Sequence, residues 1–274
     1  MSSIKSIQIK AAGDAQVSKV SVPALHDKYI LIRTNAIALN PTDWKHIASS
    51  DLPGVRVVGS KVIKDLKVGD RGWGLVRGSN ATQHEDGAFA EMIVAKGNIQ
   101  SKIPASLSSA DAAMLGVGIA TVATASLCGF RCPLRRLPKP RNPPVLIHGQ
   151  RTHNPVCTST SPHNFEYRKS LDAVKVFDYN SPTVAQDIRA SANGPIKHVL
   201  DCISEGASVE ISVESIPPDG GVYATLQFVD ADKVSAINPN VVVKFTLAYN
   251  AVGYSYEKFG LVFPASIEEF EFEQ

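Results

Sequence analysis

The chain has few cysteines and almost no excess of charge. Only 4 of its 274 residues are cysteine, too few and too scattered for a disulfide framework, and its first residues lack the apolar run of a secretory signal. We therefore expect a reducing, cytoplasmic compartment. Lysine and arginine number 28 against 26 acidic residues, so the net charge of +2 predicts no general nucleic-acid surface.

Long apolar runs are also scarce. One uncharged stretch, residues 112–130, has the length of a membrane-spanning helix. Its apolar residues are mostly small and alternate with Gly, Ser and Thr, which favours a buried helix without a membrane partner. Ser108 and Asp111 predict the N-terminal cap of this helix.

The rest of the chain shows two different rhythms. Residues 1–110 carry short strand patterns, such as 5–10, 29–35 and 89–94, broken by Gly, Pro and Asp. The helix and a linker rich in proline follow at 111–144. From residue 145 to 274 strand and helix patterns alternate, which predicts a parallel sheet with helices.

Seven short motifs occur in an order that resembles one known superfamily. They are Asn40-Pro41-Thr42-Asp43-Trp44-Lys45, Lys67-Val68-Gly69-Asp70-Arg71, Asp86-Gly87-Ala88-Phe89-Ala90-Glu91, Leu115-Gly116-Val117-Gly118-Ile119, Thr160-Ser161-Pro162-His163-Asn164-Phe165, Val176-Phe177-Asp178-Tyr179 and Leu200-Asp201-Cys202-Ile203. Together they resemble the medium-chain dehydrogenase/reductase superfamily. More narrowly, the chain is similar to the zinc-independent trans-acting enoyl reductases of fungal polyketide and hybrid polyketide–nonribosomal-peptide biosynthesis.

The resemblance implies an α/β fold with a GroES-like β-barrel domain and a Rossmann-type parallel-sheet domain, both incomplete in this chain. It implies NADPH as the cofactor and hydride transfer to the β-carbon of an α,β-unsaturated thioester. That substrate would be carried by a partner polyketide synthase (PKS) or PKS-NRPS hybrid, the latter joined to a nonribosomal peptide synthetase. The protein itself would be a monomer without a nucleic-acid or membrane partner.

The resemblance also implies two sets of ligand-binding residues. The cofactor set is Thr42, Asp43, Trp44, Lys45, Ser161, Pro162, His163, Asn164, Tyr179, Leu226 and Gln227. The substrate set is Thr121, Val122, Ala123, Thr124, Ala125, Ser126, Leu127, Cys128, Tyr249, Asn250, Ala251, Val252 and Gly253. No catalytic side chain is identified.

The chemistry of residues 161–164 favours NADPH over NADH. An NAD enzyme carries Asp or Glu at this position to hold the ribose hydroxyls, whereas this chain has Ser161 and Asn164, with Arg168 and Lys169 one helical turn further. Hydroxyl, amide and cationic donors suit a 2′-phosphate. The alternative is that Ser161 and Asn164 only cap the following helix.

Other positions have structural alternatives as well. Tyr179 is expected near the adenine but could be a core tyrosine with its hydroxyl at the surface. Residues 42–45 could form a helical turn that starts at a proline and is capped by Thr42. Ordinary core packing would account equally well for both substrate segments.

A zinc site is not expected. Cys128 and Cys132 form the only close cysteine pair, and the seven histidines are dispersed. Catalytic zinc needs three convergent protein ligands, which this pattern does not provide.

Three segments are shorter than the family pattern. Residues 53–59 replace one or two barrel strands, and the chain stops at an acidic segment, residues 268–274. Residues 149–155 are too few for the usual crossover helix, so the flanking strands are predicted to pair antiparallel, or one to lie outside the sheet. Arg151 and His153 could contact the pyrophosphate in place of that helix.

These shortenings leave three functional hypotheses open. The first is the enoyl reductase. The second is a quinone-reductase-like oxidoreductase that uses NADPH on a free small molecule. The third is a remnant that docks on the synthase without turnover.

Overall fold

The computed structural model describes residues 3–49, 67–80, 83–125, 145–148, 156–171, 173, 175–192, 194–249, 256–258 and 261–263. They form two compact units. The first comprises Met1–Ala123 and Ala248–Gln274, and the second comprises Thr124–Leu247. The sequence predicts a second domain that extends to residue 274, whereas the residues from Ala248 onward group with the first unit. Residues 53–59 and 268–274 lie outside the described residues.

The first unit is built from pairs of antiparallel strands. Up to residue 123 its strands are β1 Ser3–Ala11, β2 Asp14–Ser21, β3 Tyr29–Arg33, β4 Gly72–Gly74, β5 Met92–Lys96 and β6 Gln100–Lys102. β1 pairs with β2, β3 with β5, and β4 with β6. The strand predicted at 89–94 thus begins three residues later than expected. Over the described residues the strands do not close into a barrel.

Apolar side chains from several of these strands meet in one core. The buried members are Ile4, Ile32, Val76, Ala88, Ala90, Ile93 and Ala95. A bridge between Ser6 and Ala90 ties β1 to the segment before β5. Residues 67–70 form a tight turn, in which the Lys67 carbonyl accepts the Asp70 N–H and Gly69 has a φ of +96°.

Two helices belong wholly or mostly to the first unit. α1 spans Pro41–Ser49, and α2 spans Ser109–Thr124. The predicted cap of α2 is confirmed: Ser108 Oγ accepts the Asp111 N–H at 3.0 Å and donates to the Asp111 carboxylate. In the described part of the chain, no helix is both long and apolar enough to span a membrane.

The second unit contains a six-stranded sheet. Its strands are β7 Val145–His148, β8 Val156–Thr160, β9 Lys175–Asp178, β10 His198–Asp201, β11 Gly221–Thr225 and β12 Val241–Phe245, in the spatial order β12-β11-β10-β7-β8-β9. All neighbouring strands in it are parallel. This is the strand order of dinucleotide-binding Rossmann domains, so the predicted α/β class is confirmed.

Four helices accompany this sheet: α3 Phe165–Ser170, α4 Val184–Ser191, α5 Ala207–Ser215 and α6 Ala231–Ile237. The last three contribute to one apolar core with β10 and β11, in which Ile188, Val199, Val213 and Tyr223 are fully buried.

At the C-terminal end of the chain, β13 Tyr256–Lys258 pairs antiparallel with β14 Leu261–Phe263.

The prediction for the shortened crossover was wrong. β7 and β8 are parallel neighbours, with Val145 opposite Val156 and Leu146 opposite Cys157. Seven extended residues reach about 23 Å, which exceeds the roughly 13 Å length of a four-residue strand. A return without a helix is therefore long enough for parallel pairing. Residues 149–155, including Arg151 and His153, lie outside the described residues.

Replacing Gly118 by alanine should stabilise the protein by about 1 kcal/mol. Gly118 lies inside α2, and no described atom is within 4 Å of the position of an added Cβ. The substitution therefore improves helix propensity without a steric clash. The contrasting variant is Gly69→Ala, which has equal space but a positive φ and should destabilise. Chemical denaturation of both variants checks this, and a loss of stability in Gly118→Ala would contradict it.

Candidate functional site

Helix α1 is capped by the residues on either side of its start. Pro41 is its first residue, where a missing N–H costs nothing. The Asp43 carboxylate accepts the Asn40 N–H at 2.6 Å, and the Asn40 carbonyl accepts the Asp43 N–H at 2.9 Å. Thr42 is the second helical residue, so the alternative that Thr42 caps this helix is wrong.

The Thr42 side chain brings distant parts of the sequence together within the first unit. Its hydroxyl oxygen lies 3.0 Å from His46 Nδ1, one turn along α1, and 3.1 Å from the Tyr249 hydroxyl. The His46 and Tyr249 rings meet edge to face with centroids 6.0 Å apart. Both rings are buried and Thr42 is half-buried. A predicted cofactor residue is thus in contact with a predicted substrate residue.

The two remaining predicted residues of α1 are closer to solvent. Trp44 is 60% exposed, and Lys45 Nζ lies 5.5 Å from the centroid of its ring. An exposed indole with a cation above it offers a flat surface for a ligand ring. Their role in cofactor binding stays a prediction.

Acidification from pH 7 to pH 5 should stabilise the first unit through Asp43. Burial raises the pKa of Asp43 to about 6, and the hydrogen bond from the Asn40 N–H opposes this shift. A carboxyl whose folded pKa lies above its unfolded value contributes stability below the unfolded pKa, and this contribution is lost as the pH rises through about 6. Thermal unfolding at both pH values should therefore show a smaller gain on acidification in Asp43→Asn than in the wild type.

Two other aspartates make this test sharper. Burial also raises the pKa of Asp86 to about 6, so Asp86→Asn should reduce the same gain independently. Asp70 is the control, because the Lys102 ammonium lowers its pKa and Asp70→Asn should leave the gain intact. Equal pH responses of the wild type and Asp43→Asn would contradict the prediction.

The predicted substrate helix is described as far as Ala125. Thr121, Ala123, Thr124 and Ala125 are buried, and Val122 is half-buried. Ala125 packs with Leu200 and Ala224, as the core-packing alternative expects. The other predicted substrate residues lie outside the described residues: Ser126, Leu127, Cys128, Asn250, Ala251, Val252 and Gly253.

In the second unit, Ser161 and Tyr179 meet just beyond the carboxyl ends of β8 and β9. Ser161 and Asn164 occupy N-cap positions of a 3-10 turn and of α3, but neither side chain makes a capping hydrogen bond. Ser161 Oγ instead donates to the Tyr179 hydroxyl at 3.1 Å. Tyr179 is 42% exposed. Both hydroxyls are available at the edge where open parallel sheets bind ligands.

Two cations on α3 have different surroundings. Lys169 is exposed and forms an ion pair with Glu166 at 2.8 Å. Arg168 is half-buried, and its Nε is buried without a hydrogen-bond partner among the described residues. Burial raises the pKa of the Cys202 thiol to about 12, the Asp201 charge adds to this, and the Arg168 guanidinium opposes it.

The carboxylate of Asp201, the last residue of β10, organises the following turn and its neighbour. One oxygen accepts the Ile203 and Ser204 N–H groups, each at 2.9 Å. The other accepts the Ser208 hydroxyl at 2.8 Å and the Tyr223 hydroxyl at 2.9 Å. The carboxylate is completely buried. Four donors thus hold its charge inside the unit.

The hydrogen bonds around the Asp201 carboxylate, called the Asp201 hub below, connect to the predicted residues after β11. Ser204 Oγ accepts the Leu226 N–H at 2.9 Å, and Gln227 Nε2 donates to the Ile203 carbonyl at 2.7 Å. The turn after β10 and the segment after β11 are thereby fastened together at the carboxyl edge of the sheet. Leu226 and Gln227 follow β11 at the edge where open parallel sheets bind their ligands.

The chain is similar to curated proteins over most of its own length and most of theirs. The chain is 38% identical to the trans-enoyl reductase TOXD of Cochliobolus carbonum over 270 residues, which cover 90% of this chain and 89% of the relative. It is 34% identical to the trans-enoyl reductase ACTTS2 of Alternaria alternata over 292 residues, covering 98% and 83%. The chain belongs to the trans-enoyl reductase family. No protein-family model matches it.

Solved structures share the fold of this trans-enoyl reductase homologue at lower identity. The quinone oxidoreductase of Coxiella burnetii matches with a TM-score of 0.69 and 19% identity, over 99% of this chain and 86% of that one. Mycobacterial Rv1454c complexed with NADPH matches with 0.69 and 18%, over 98% and 85%. CurK enoyl reductase matches with 0.67 and 16%, over 91% and 82%. These likenesses confirm the medium-chain dehydrogenase/reductase fold.

The structure of this family member adds functional candidates that the sequence analysis did not single out. They are Asp201, Ser204 and Ser208 at the end of β10 and His46 beside Thr42. An acidic residue at the end of an apolar strand, followed by two serines, was the available signal for the hub. The signal for His46 was its position one helical turn after Thr42.

Proposed function

We propose that this chain reduces α,β-unsaturated acyl thioesters with NADPH while the acyl group is held on the carrier of a partner polyketide synthase. Membership of the trans-enoyl reductase family supports the reaction and the partner. The NADPH complex among the proteins of similar fold supports the cofactor. CurK, a protein of similar fold, is itself named an enoyl reductase.

One observation carries the cofactor part of the proposal. Residues 161–164, beyond the end of β8, contain no carboxylate. The Nε atom of Arg168 is buried and has no hydrogen-bond partner among the described residues. A buried guanidinium donor needs an acceptor, and a phosphate supplies one with charge-assisted hydrogen bonds. The residues present therefore fit a phosphorylated ribose better than a ribose with free hydroxyls.

The residues that would hold NADPH lie along one sheet edge. Arg168 and Ser161 would bind the 2′-phosphate, and the exposed Tyr179 ring would lie along the adenine. Leu226 and Gln227, fixed through the Asp201 hub, would face the nicotinamide half. When bound, NADPH supplies the hydride that adds to the β-carbon of the acyl chain.

The test has two stages. NADPH and NADH are first titrated separately into the purified protein by calorimetry, with tighter binding of NADPH expected. An α,β-unsaturated acyl-pantetheine thioester is then added, and NADPH oxidation is followed by absorbance while mass spectrometry detects the saturated product. A carrier-bound substrate and the free thioester are compared under the same conditions.

Three results would overturn the proposal in different ways. Failure of a folded sample to bind NADPH would favour the docking remnant. NADPH binding followed by reduction of a free quinone, but of neither thioester, would favour the quinone-reductase alternative. Equal affinity for NADPH and NADH would remove the role given to Arg168.

A further inference from the structure

The hydroxyl of Thr42 lies at the junction of two hydrogen-bonding groups. His46 Nδ1 is 3.0 Å and the Tyr249 hydroxyl 3.1 Å from Thr42 Oγ1. His46 and Tyr249 are buried, whereas Thr42 is only half-buried. Thr42 is therefore the outward end of a polar cluster whose other two members are enclosed.

The hydrogen of His46 can be assigned from its second contact. His46 Nδ1 also lies within hydrogen-bond distance of the Thr42 carbonyl oxygen. A carbonyl oxygen only accepts, so Nδ1 must carry the hydrogen. The same N–H is then directed at the neighbouring Oγ1, which accepts from it.

Tyr249 can supply the second donor, because either hydroxyl of the Thr42–Tyr249 contact can donate. Burial raises the pKa of the Tyr249 hydroxyl, so the phenol keeps its proton near neutral pH. A threonine hydroxyl has two acceptor lone pairs and one hydrogen. When His46 and Tyr249 donate to both lone pairs, the hydrogen of Thr42 points away from them, toward the exposed side.

We propose that Thr42 is a pre-oriented hydrogen-bond donor for the thioester oxygen of the substrate, with His46 and Tyr249 as its positioning residues. This inference rests on the proposed enoyl reductase function. When a hydride adds to the β-carbon, the electron pair of the carbon–carbon double bond shifts through the α-carbon to the thioester oxygen, which becomes an enolate oxygen. A donor already aimed at that oxygen stabilises the developing charge without reorganisation.

Thr42 transfers no proton in this role. The enolate regains the carbonyl when its carbon–carbon π pair takes a proton from solvent water to form the bond at the α-carbon, while an oxygen lone pair re-forms the carbon–oxygen double bond. The hydrogen bond from Thr42 is kept throughout. Its effect should therefore fall on the rate of the chemical step and not on the binding of either ligand.

The experiment compares Thr42→Val with Thr42→Ser. Loss of an oxyanion donor typically costs about 10²-fold in kcat, so Thr42→Val should show a loss of this size, and Thr42→Ser, which retains the hydroxyl, should keep most of the activity. The Kd for NADPH and the affinity for the saturated acyl-pantetheine product, both measured by calorimetry, should stay unchanged. Circular dichroism confirms that each variant is folded.

Tyr249→Phe tests the positioning role. It keeps the ring and removes the donor, so kcat should fall less than in Thr42→Val. Because both changes act on the same hydroxyl, Tyr249→Phe should cause little further loss in a Thr42→Val background. Independently of turnover, nitrogen NMR of His46 in the wild type should show the hydrogen on Nδ1.

The outcomes separate this inference from the proposed function. If the wild type reduces the thioester and Thr42→Val does so equally fast, the inference fails and the enoyl reductase stands. A change confined to the Kd for NADPH would assign the hydroxyl to the cofactor and also overturn it, as would a neutral His46 protonated only on Nε2. If the wild type binds NADPH but reduces no thioester, the proposed function fails and takes the inference with it.

Discussion

Replacing Asp201 by alanine should destabilise the second unit by about 3–5 kcal/mol. The completely buried carboxylate accepts four hydrogen bonds, from Ile203, Ser204, Ser208 and Tyr223. Alanine removes the acceptor for all four donors and leaves space that the surrounding strands cannot close. Asp201→Asn should cost less, because its amide oxygen still accepts from one pair of donors.

Asp178 provides a matched control on the same sheet. It is the last residue of β9, as Asp201 is of β10, but within the described part of the chain its carboxylate accepts only exposed hydrogen bonds, from Asn180. Asp178→Ala should therefore cost about 1 kcal/mol or less. Urea denaturation of the three variants gives the comparison, and equal losses for Asp178→Ala and Asp201→Ala would show that the hub does not stabilise the fold.

The parallel sheet could be predicted because its central strands are buried. Segments such as His198–Asp201 and Gly221–Thr225 each end in three buried residues, are bounded by turn residues and alternate with helical sequence. β2, Asp14–Ser21, was not predicted. None of its residues is buried, and it is held by backbone pairing with β1. A strand without a buried face leaves no hydrophobic pattern in the sequence.

The pairing of β7 with β8 illustrates a different limit. The expectation of antiparallel pairing came from the usual length of a crossover that contains a helix. That rule describes the common connection and not the shortest one the chain geometry permits. Strand direction was therefore mispredicted, although both strands were placed correctly.

The site was predictable only where its residues are close in sequence. Ser161 and Tyr179 follow successive strands, so their meeting at one sheet edge is expected for parallel topology. Thr42 and Tyr249 are separated by 207 positions, and nothing in a single sequence indicates their contact. The same holds for Asp201 and Tyr223, whose hydroxyl crosses from the neighbouring strand.

Replacing Arg168 by alanine should weaken NADPH binding about 10- to 100-fold, as expected for the loss of a charged hydrogen bond worth roughly 1.5–3 kcal/mol. NADH lacks the 2′-phosphate, so its affinity should change much less. We therefore expect the preference for NADPH over NADH to be lost, while the binding of NADH is largely retained. Calorimetric titration of both nucleotides into wild type and variant measures it.

Lys169→Ala is the matched control because the two cations are adjacent on α3. The Lys169 ammonium is exposed and already paired with Glu166 at 2.8 Å, and exposed pairs of this kind contribute little. Arg168 has a buried Nε without a partner among the described residues, whereas the Lys169 ammonium is exposed and already paired. If the positive charge of α3 attracted the phosphate without a specific contact, both substitutions would weaken NADPH binding equally. A selective loss in Arg168→Ala would instead identify a directed guanidinium–phosphate contact, and an equal loss would contradict it.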